Sequence, residues 1–301
     1  MSAQGQAAAT SPRTRAEAPA PGQGRSPRAG GPSRTWNLVL GAVLFGMVLL
    51  TALVSLVWTP HAIDDTSGPR LEGPSAGYLL GTDRLGHDLL AQLMVGARLA
   101  VVVGFGAVAI GALIGVSWGL WAATSRRWAD STLTSAIDVM IAFPTILLAM
   151  LLVSVMGASL RVSVVAVGIA MSAPIARITR ASAGQVLHQD FVEAAQTSGS
   201  GRLRIVRRHI LPNIAPTLVV QLALQWGAAV LAEASLSYLG LGSPPPNASW
   251  GRMLQEAQAT VLVAPLGAIA PGVMLVIAVL GVNLLADGLR DVLDPELRRV
   301  S

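Results

Sequence analysis

The chain contains neither cysteine nor lysine. Without thiols there is no disulfide scaffold, no thiolate metal site and no cysteine nucleophile. Without lysine there is no Schiff-base chemistry. The phosphate loop G-x-x-x-x-G-K-[ST] cannot be written either, which argues against an ATPase of that class. The "GSG" at 199–201 is too short to stand in for one. Charge is scarce: 12% of the 301 residues are charged, against roughly 25% in a soluble domain. Histidine is confined to four scattered positions (His61, His87, His188, His209) with no H-E-x-x-H, so a metalloprotease is unsupported. No G-x-S-x-G frames a serine nucleophile. The acids of "GTDRLGHD" lack the spacing of a calcium loop.

What the chain has in abundance is apolar surface: 52% of its residues are hydrophobic and the mean hydropathy is +0.59. A helix needs about 20 such residues to cross ~30 Å of hydrocarbon, since each backbone polar group must be bonded within the segment. Six runs qualify, at 37–58, 98–123, 133–157, 162–179, 214–238 and 267–289. The fourth is the shortest and carries Pro174 and Arg177 near its end. Trp36 and Trp58 bracket the first, as interfacial anchors do. Residues 1–35, rich in Ala, Pro, Gly, Ser and Arg, have nothing to bury and read as a disordered basic tail. The apolar run after it exceeds the usual signal-peptide core of about 7–15 residues, which favours an uncleaved anchor. The expected organisation is the tail, a segment 36–97 holding the first span and an outer loop, and a five-helix core over 98–298.

All 21 basic residues are arginine, and their distribution orients the spans. Placing both termini inside (N-in, C-in) puts Arg13, Arg15, Arg25, Arg28 and Arg34 of the tail in the cytoplasm. With them go Arg126, Arg127, Arg177, Arg180, Arg202, Arg204, Arg207, Arg208, Arg290, Arg298 and Arg299. Only Arg70, Arg84, Arg98, Arg161 and Arg252 then lie outside, among Asp64, Asp65, Glu72, Asp83, Asp88 and Glu256. This bias accounts for the net charge of +5 without invoking nucleic acid.

On that topology residues 182–212 are cytoplasmic. "ASAGQVLHQDFVEAAQTS" is made of helix formers, with Leu187, Phe191, Ala194 and Ala195 near one face. Gly199 and Gly201 break it. "RLRIVRRHIL" predicts a second helix with Leu203, Val206 and Ile210 on one side and arginines on the other, ended by Pro212. Two short helices at a glycine bend with small alanines exposed form a knob that fits a groove. The same segment also reads as an amphipathic helix on anionic lipid, held by Arg202, Arg204, Arg207 and Arg208. Physical pattern alone leaves both open.

The motifs carry a resemblance. "EAAxxxG", nine residues and then "HILP" resembles the cytoplasmic signature of permease subunits of bacterial ABC importers. "RRHILPN", with His209 where a more general signature has an apolar residue, is similar to the peptide-importing branch. So are "GTDRLGHDLLAQLMVGAR" (81–98), "AIDVMIAFPTILLAM" (136–150), "LAEASLSYLGLGSPPPNASWGRML" (231–254) and "DGLRDVLDPELR" (287–298). The likeness covers about 36–298 in order and identifies the chain with the C-type (DppC/OppC-like) dipeptide/oligopeptide permeases. Two departures stand out: His87 and Gln92 occupy positions where that branch commonly has Arg.

The resemblance implies an all-α integral membrane protein of six transmembrane helices with the ABC importer type I permease fold, in the bacterial plasma membrane. It implies a second (DppB/OppB-like) permease, two ATPases holding ATP and Mg, and an extracytoplasmic substrate-binding protein. No cofactor would be bound by this chain. The ATPase-coupling residues it implies are Glu193, Ala194, Ala195, Gly199, Arg202, Arg207, Arg208, His209 and Pro212. Peptides would cross between the permeases, as ATP binding moves the coupling helices as rigid levers.

Charges and prolines within spans are the remaining candidates for pathway or switching. A carboxylate at mid-bilayer costs roughly 2.5–3.5 kcal/mol and should face protein or water. Glu233 either lines the outer pathway or pairs with polar groups at a helix end, the second being favoured. Asp138 reads as a salt-bridge residue with Arg177 or Arg180 as partner. Pro144 and Pro174 each remove a helical hydrogen bond and predict kinks. Gly104, Ala107, Gly111 and Gly115 recur at three- and four-residue spacing, a close-packing face. Trp250 is expected at the membrane interface. The rival function, a self-sufficient secondary transporter or channel, calls for carboxylates deep in the bundle and inverted repeats. The chain shows one or two such carboxylates and no convincing repeat.

Overall fold

The computed structural model describes residues 33–244 and 247–293. The tail expected over 1–35 lies outside them, apart from its last three residues, which already belong to the first helix. The described residues form helices α1 (Ser33–Val57), α2 (Leu89–Ala123), α3 (Arg127–Ala142), α4 (Thr145–Met156), α5 (Leu160–Leu187) and α6 (Asp190–Thr197). They continue with α7 (Arg202–Ile205), a wide π-turn (Val206–Ile210), α8 (Leu211–Tyr238), α9 (Trp250–Ala257) and α10 (Leu266–Leu293). Among them no strand occurs, and one isolated bridge joins Thr82 to Asp88.

Among the described residues five helices are long and apolar enough to cross a membrane, and α3 with α4 makes a sixth if taken as one bent span. The all-α membrane architecture expected from composition is therefore the one observed. The third span is not the single kinked helix expected over 133–157. α3 and α4 meet at 85°. Pro144 has no N–H to continue α3, and its ring pushes the residue before it out of the helical region. Phe143 is accordingly extended, with φ −81° and ψ 129°. Pro174, by contrast, lies inside α5 without ending it.

α2 begins at Leu89, nine residues before the expected start. The Asp88 carboxylate accepts from the Leu90 N–H at 2.9 Å, capping the helix, so the whole "LLAQLMVGAR" run is helical. The small-residue row then sets how α2 and α5 pack. A Cβ on Gly115 would stand 2.4 Å from the Ser172 carbonyl oxygen, and one on Gly119 would stand 2.5 Å from that of Ala176. These backbones touch because neither glycine has a side chain. α1 and α10 close on each other in the same way: Gly41 faces the Leu285 N–H at 2.4 Å and Gly288 faces Leu38 at 2.7 Å by the same construction.

Trp226 of α8 fills the centre of the bundle, with its ring centroid 4.8 Å from that of Phe45 in a T-shaped pair and 6.0 Å from that of Phe105. Gly104 makes room for it. Trp250 is buried too, not interfacial as expected. It slots against Gly96, and its indole N–H donates to the Leu93 carbonyl at 3.0 Å. That bond satisfies the polar end of the ring and docks α9 on α2.

Candidate functional site

The segment 182–212 folds as an elbow at one end of the bundle. α5 runs to Leu187, and the break at His188 and Gln189 turns the chain into α6. One fully buried residue, Val192, anchors α6 among Ala183, Ile205, Ile210, Ile214 and Leu218. The chain then reverses at Gly199, whose φ is +79°. The Ser200 N–H donates to Ala195 at 3.0 Å and the Gly199 N–H to Gln196 at 3.0 Å, the paired bonds of a Schellman cap. Nothing lies within 4 Å of a Cβ built on Gly199, so the glycine is needed for backbone conformation alone.

The second helix departs from expectation. Pro212 does not end it: α7, the π-turn and α8 form one continuous helix over Arg202–Tyr238. The missing N–H of Pro212 is absorbed by the wide turn, in which the Leu211 N–H reaches back five residues to Val206. The Asn213 side chain donates to the His209 carbonyl at 2.6 Å. The extra residue also shifts the apolar phase. Ile205 and Ile210, five apart, both turn inward, while Leu203, expected on the same side as Ile210, is 68% exposed.

The implied coupling residues separate into two groups. Glu193 and Ala194 are exposed beside Phe191, and Ala195 is half-buried. Arg207 and Arg208 are exposed, and His209 faces Phe191 with ring centroids 6.0 Å apart. Arg202 instead reaches into the chain. Its guanidinium donates to Thr124 Oγ1 at 2.6 Å, Ser125 Oγ at 3.2 Å and the Trp121 carbonyl at 3.2 Å. A cation at the carbonyl end of α2 meets the negative end of its dipole. The elbow is thus latched to α2 by a charged clamp and fused to α5 and α8 through an apolar cluster that includes Val116, Leu120 and Ala123 of α2.

The charges expected inside spans find partners. Asp138 pairs with Arg177, and Asp130 takes a two-pronged pair from Arg180 at 2.6 and 2.7 Å, so α3 is pinned to α5 twice. Glu233 is 3% exposed, and its Oε1 accepts from Ser237 Oγ at 2.5 Å. Pro144 forms the α3–α4 corner.

The opposite end of the bundle carries a loop over 58–88. Asp83 organises it: Oδ1 accepts from the backbone of Leu85 and His87, and Oδ2 lies 2.8 Å from both His87 Nδ1 and Gln92 Nε2. Burial pushes the Asp83 carboxyl up. The hydrogen bonds from the His87 side chain and backbone, Gln92 and Leu85 outweigh it and hold the group below its ordinary value. The two residues that depart from the branch's usual arginines therefore act together on one carboxylate. Nearby, His61 Nδ1 sits 2.8 Å from Asp88 Oδ2 and its ring stacks on Tyr78. Sequence reading missed this cluster, although the recurrence of Asp, His and Gln within ten residues was its trace.

The described residues thus form a helical membrane bundle whose elbow packs against three spans. Residues 111–299 match the family described as binding-protein-dependent transport system inner membrane component, and the chain belongs to that family. It is an inner-membrane transport permease subunit. It is 36% identical over 261 residues to the dipeptide transport system permease protein DppC of Alkalihalophilus pseudofirmus, covering 86% of each chain. It is 40% identical over 227 residues to the glutathione transport system permease protein GsiD of Pectobacterium atrosepticum, covering 75% of each. Its fold is similar to a chain of the MetNI methionine ABC transporter in an inward-facing conformation, with TM-score 0.59 and 18% identity over 68% of this chain and 98% of that one.

Proposed function

We propose that the chain is one half of a peptide-conducting pathway, paired with a second, DppB/OppB-like permease and driven by two separate ATPase subunits that hold ATP and Mg. The observation that carries this reading is the elbow. Its exposed tip (Phe191, Glu193, Ala194, Leu203) stands over a buried base continuous with α2, α5 and α8. A tip pushed by an ATPase groove would move three spans as one body. Arg207, Arg208 and His209 flank the tip and meet acidic ATPase or lipid groups. The elbow end is then cytoplasmic, with both termini on that side, and the 58–88 loop faces a substrate-binding protein outside. Peptides are the cargo class, in line with the named cargo of the relatives. Pro144 supplies a hinge between α3 and α4, the Asp138–Arg177 pair holds α3 during switching, and Glu233 braces the outer end of α8.

The test is reconstitution of the importer with its ATPases and binding protein, followed by peptide uptake into vesicles. Gly199→Val should abolish uptake and ATPase association together. Full retention of both would overturn the coupling role, and uptake by this chain alone would overturn the reading as a whole.

A further inference from the structure

α8 has one face that its own bundle does not cover. Thr217, Gln221, Leu224, Ala228, Leu231, Ser235 and Tyr238 follow one another at alternating four- and three-residue steps, and all are exposed or half-buried. Steps of four and three keep to a single line along a helix. Three cavities succeed one another on this line. The one nearest the elbow, about 400 Å³, is lined by Thr217, Gln221 and Leu224 with Arg290 of α10. The middle one, about 330 Å³, is lined by Gln225 and Ala228 with Thr145 and Pro174. The last, about 290 Å³, shares Leu231 with the middle one and continues to Tyr238.

The chemistry of this face is unlike that of a lipid-facing one. Other polar side chains of α8 satisfy themselves: Asn213 donates to the His209 carbonyl, and Ser235, at the far end of this face, donates to that of Leu231. Thr217, Gln221 and Gln225 have no side-chain partner among the described residues. An amide left unpaired in hydrocarbon is costly, so these groups need water or a ligand. Neither the middle nor the last cavity is lined by a charged residue. Glu233, on the same helix, is turned into the packed interior. Gln221 and Gln225 offer amide donors and acceptors along this wall, whose one charged lining residue, Arg290, stands at the elbow end; such amides suit a neutral group carrying one N–H and one C=O.

We propose that this face of α8 is a peptide-backbone track, on which Gln221 and Gln225 exchange hydrogen bonds with the peptide bonds of the cargo. The proposal rests on the peptide-importer reading and adds its selectivity: the two glutamines read the amide repeat common to all peptides. The absence of cysteine supplies a silent background for the test.

In the reconstituted importer, Gln221→Cys, Gln225→Cys and Ala228→Cys should each react with a membrane-impermeant maleimide and be protected by peptide cargo. Val219→Cys, exposed on the other side of the helix, should not react. Gln221→Leu with Gln225→Leu should slow uptake about thirtyfold, the worth of one net hydrogen bond lost at each glutamine, with ATPase association unchanged. Wild type should also discriminate against N-methylated peptides, and the double variant should lose that discrimination. Unreactive cysteines that crosslink to the partner permease would make the face a subunit seam and overturn the proposal. Wild-type uptake rates and discrimination in the double variant would overturn it alone. Failure of the wild-type complex to move any peptide would overturn the importer reading and this proposal with it.

Discussion

The Arg202 guanidinium donates to the Thr124 hydroxyl at 2.6 Å, joining the start of α7 to the end of α2 across 78 positions of sequence. Two further bonds, to Ser125 and the Trp121 carbonyl, make this a three-point clamp. Arg202→Met keeps the aliphatic stem and removes all three. The clamp is exposed, so the stability cost should be small, about 0.5–1.5 kcal/mol. Coupling should suffer more: ATPase association should persist while peptide delivered per ATP falls several-fold. Paired hydrolysis and uptake measurements on the reconstituted importer check this, and an unchanged ratio would leave the clamp purely structural.

Gly199 separates conformation from space. Its φ of +79° costs a residue with a Cβ about 1–2 kcal/mol, yet no neighbour would be struck. Gly199→Asn should therefore keep most ATPase association, because Asn tolerates the left-handed region. Gly199→Val should lose it. Equal effects of the two would mean that bulk, not backbone, decides.

Gly115 has the reverse character. A methyl there would lie 2.4 Å from the Ser172 carbonyl, so even Gly115→Ala should force α2 and α5 apart. Overpacking of this kind costs typically 1–3 kcal/mol. Thermal unfolding of the purified subunit in detergent should show the loss, and Gly46→Ala, on an open face of α1, should not.

The 58–88 loop should be acid-labile. Asp83 is held below its ordinary value of 3.8, so its contribution is fully present above that pH and is lost as pH falls through the lower folded value. Protection of the 58–88 amides against hydrogen exchange, relative to their intrinsic rates at each pH, should fall as pH drops below the ordinary value of 3.8 in wild type. Asp83→Asn should exchange fast at pH 6 and respond little to acid.

Much of this was legible because membrane spans are written in long apolar runs, which survive small errors of boundary. The row Gly104, Ala107, Gly111, Gly115 announced a helix contact, and Asp138 announced a partner on the next span. Local events that change helical phase were not legible. The π-turn moves Ile205 inward and Leu203 outward, and no 3.6-residue pattern contains that shift. Pro144 predicted a kink, but the size of the turn depends on Phe143 adopting an extended backbone. Trp250 looked interfacial because its buried acceptor, the Leu93 carbonyl, lies 157 positions away. The outward face of α8 escaped notice because glutamines in an apolar run read as minor interruptions until the geometry lines them up.

The glycine contact between α1 and α10 has a bearing on biogenesis. Gly41 and Gly288 let α1 lie against α10, so α1 has no permanent neighbour on that side until α10 has been made. A chain interrupted before Leu266 would leave α1 with that flank bare in the bilayer, a mark by which membrane quality control could recognise an unfinished subunit.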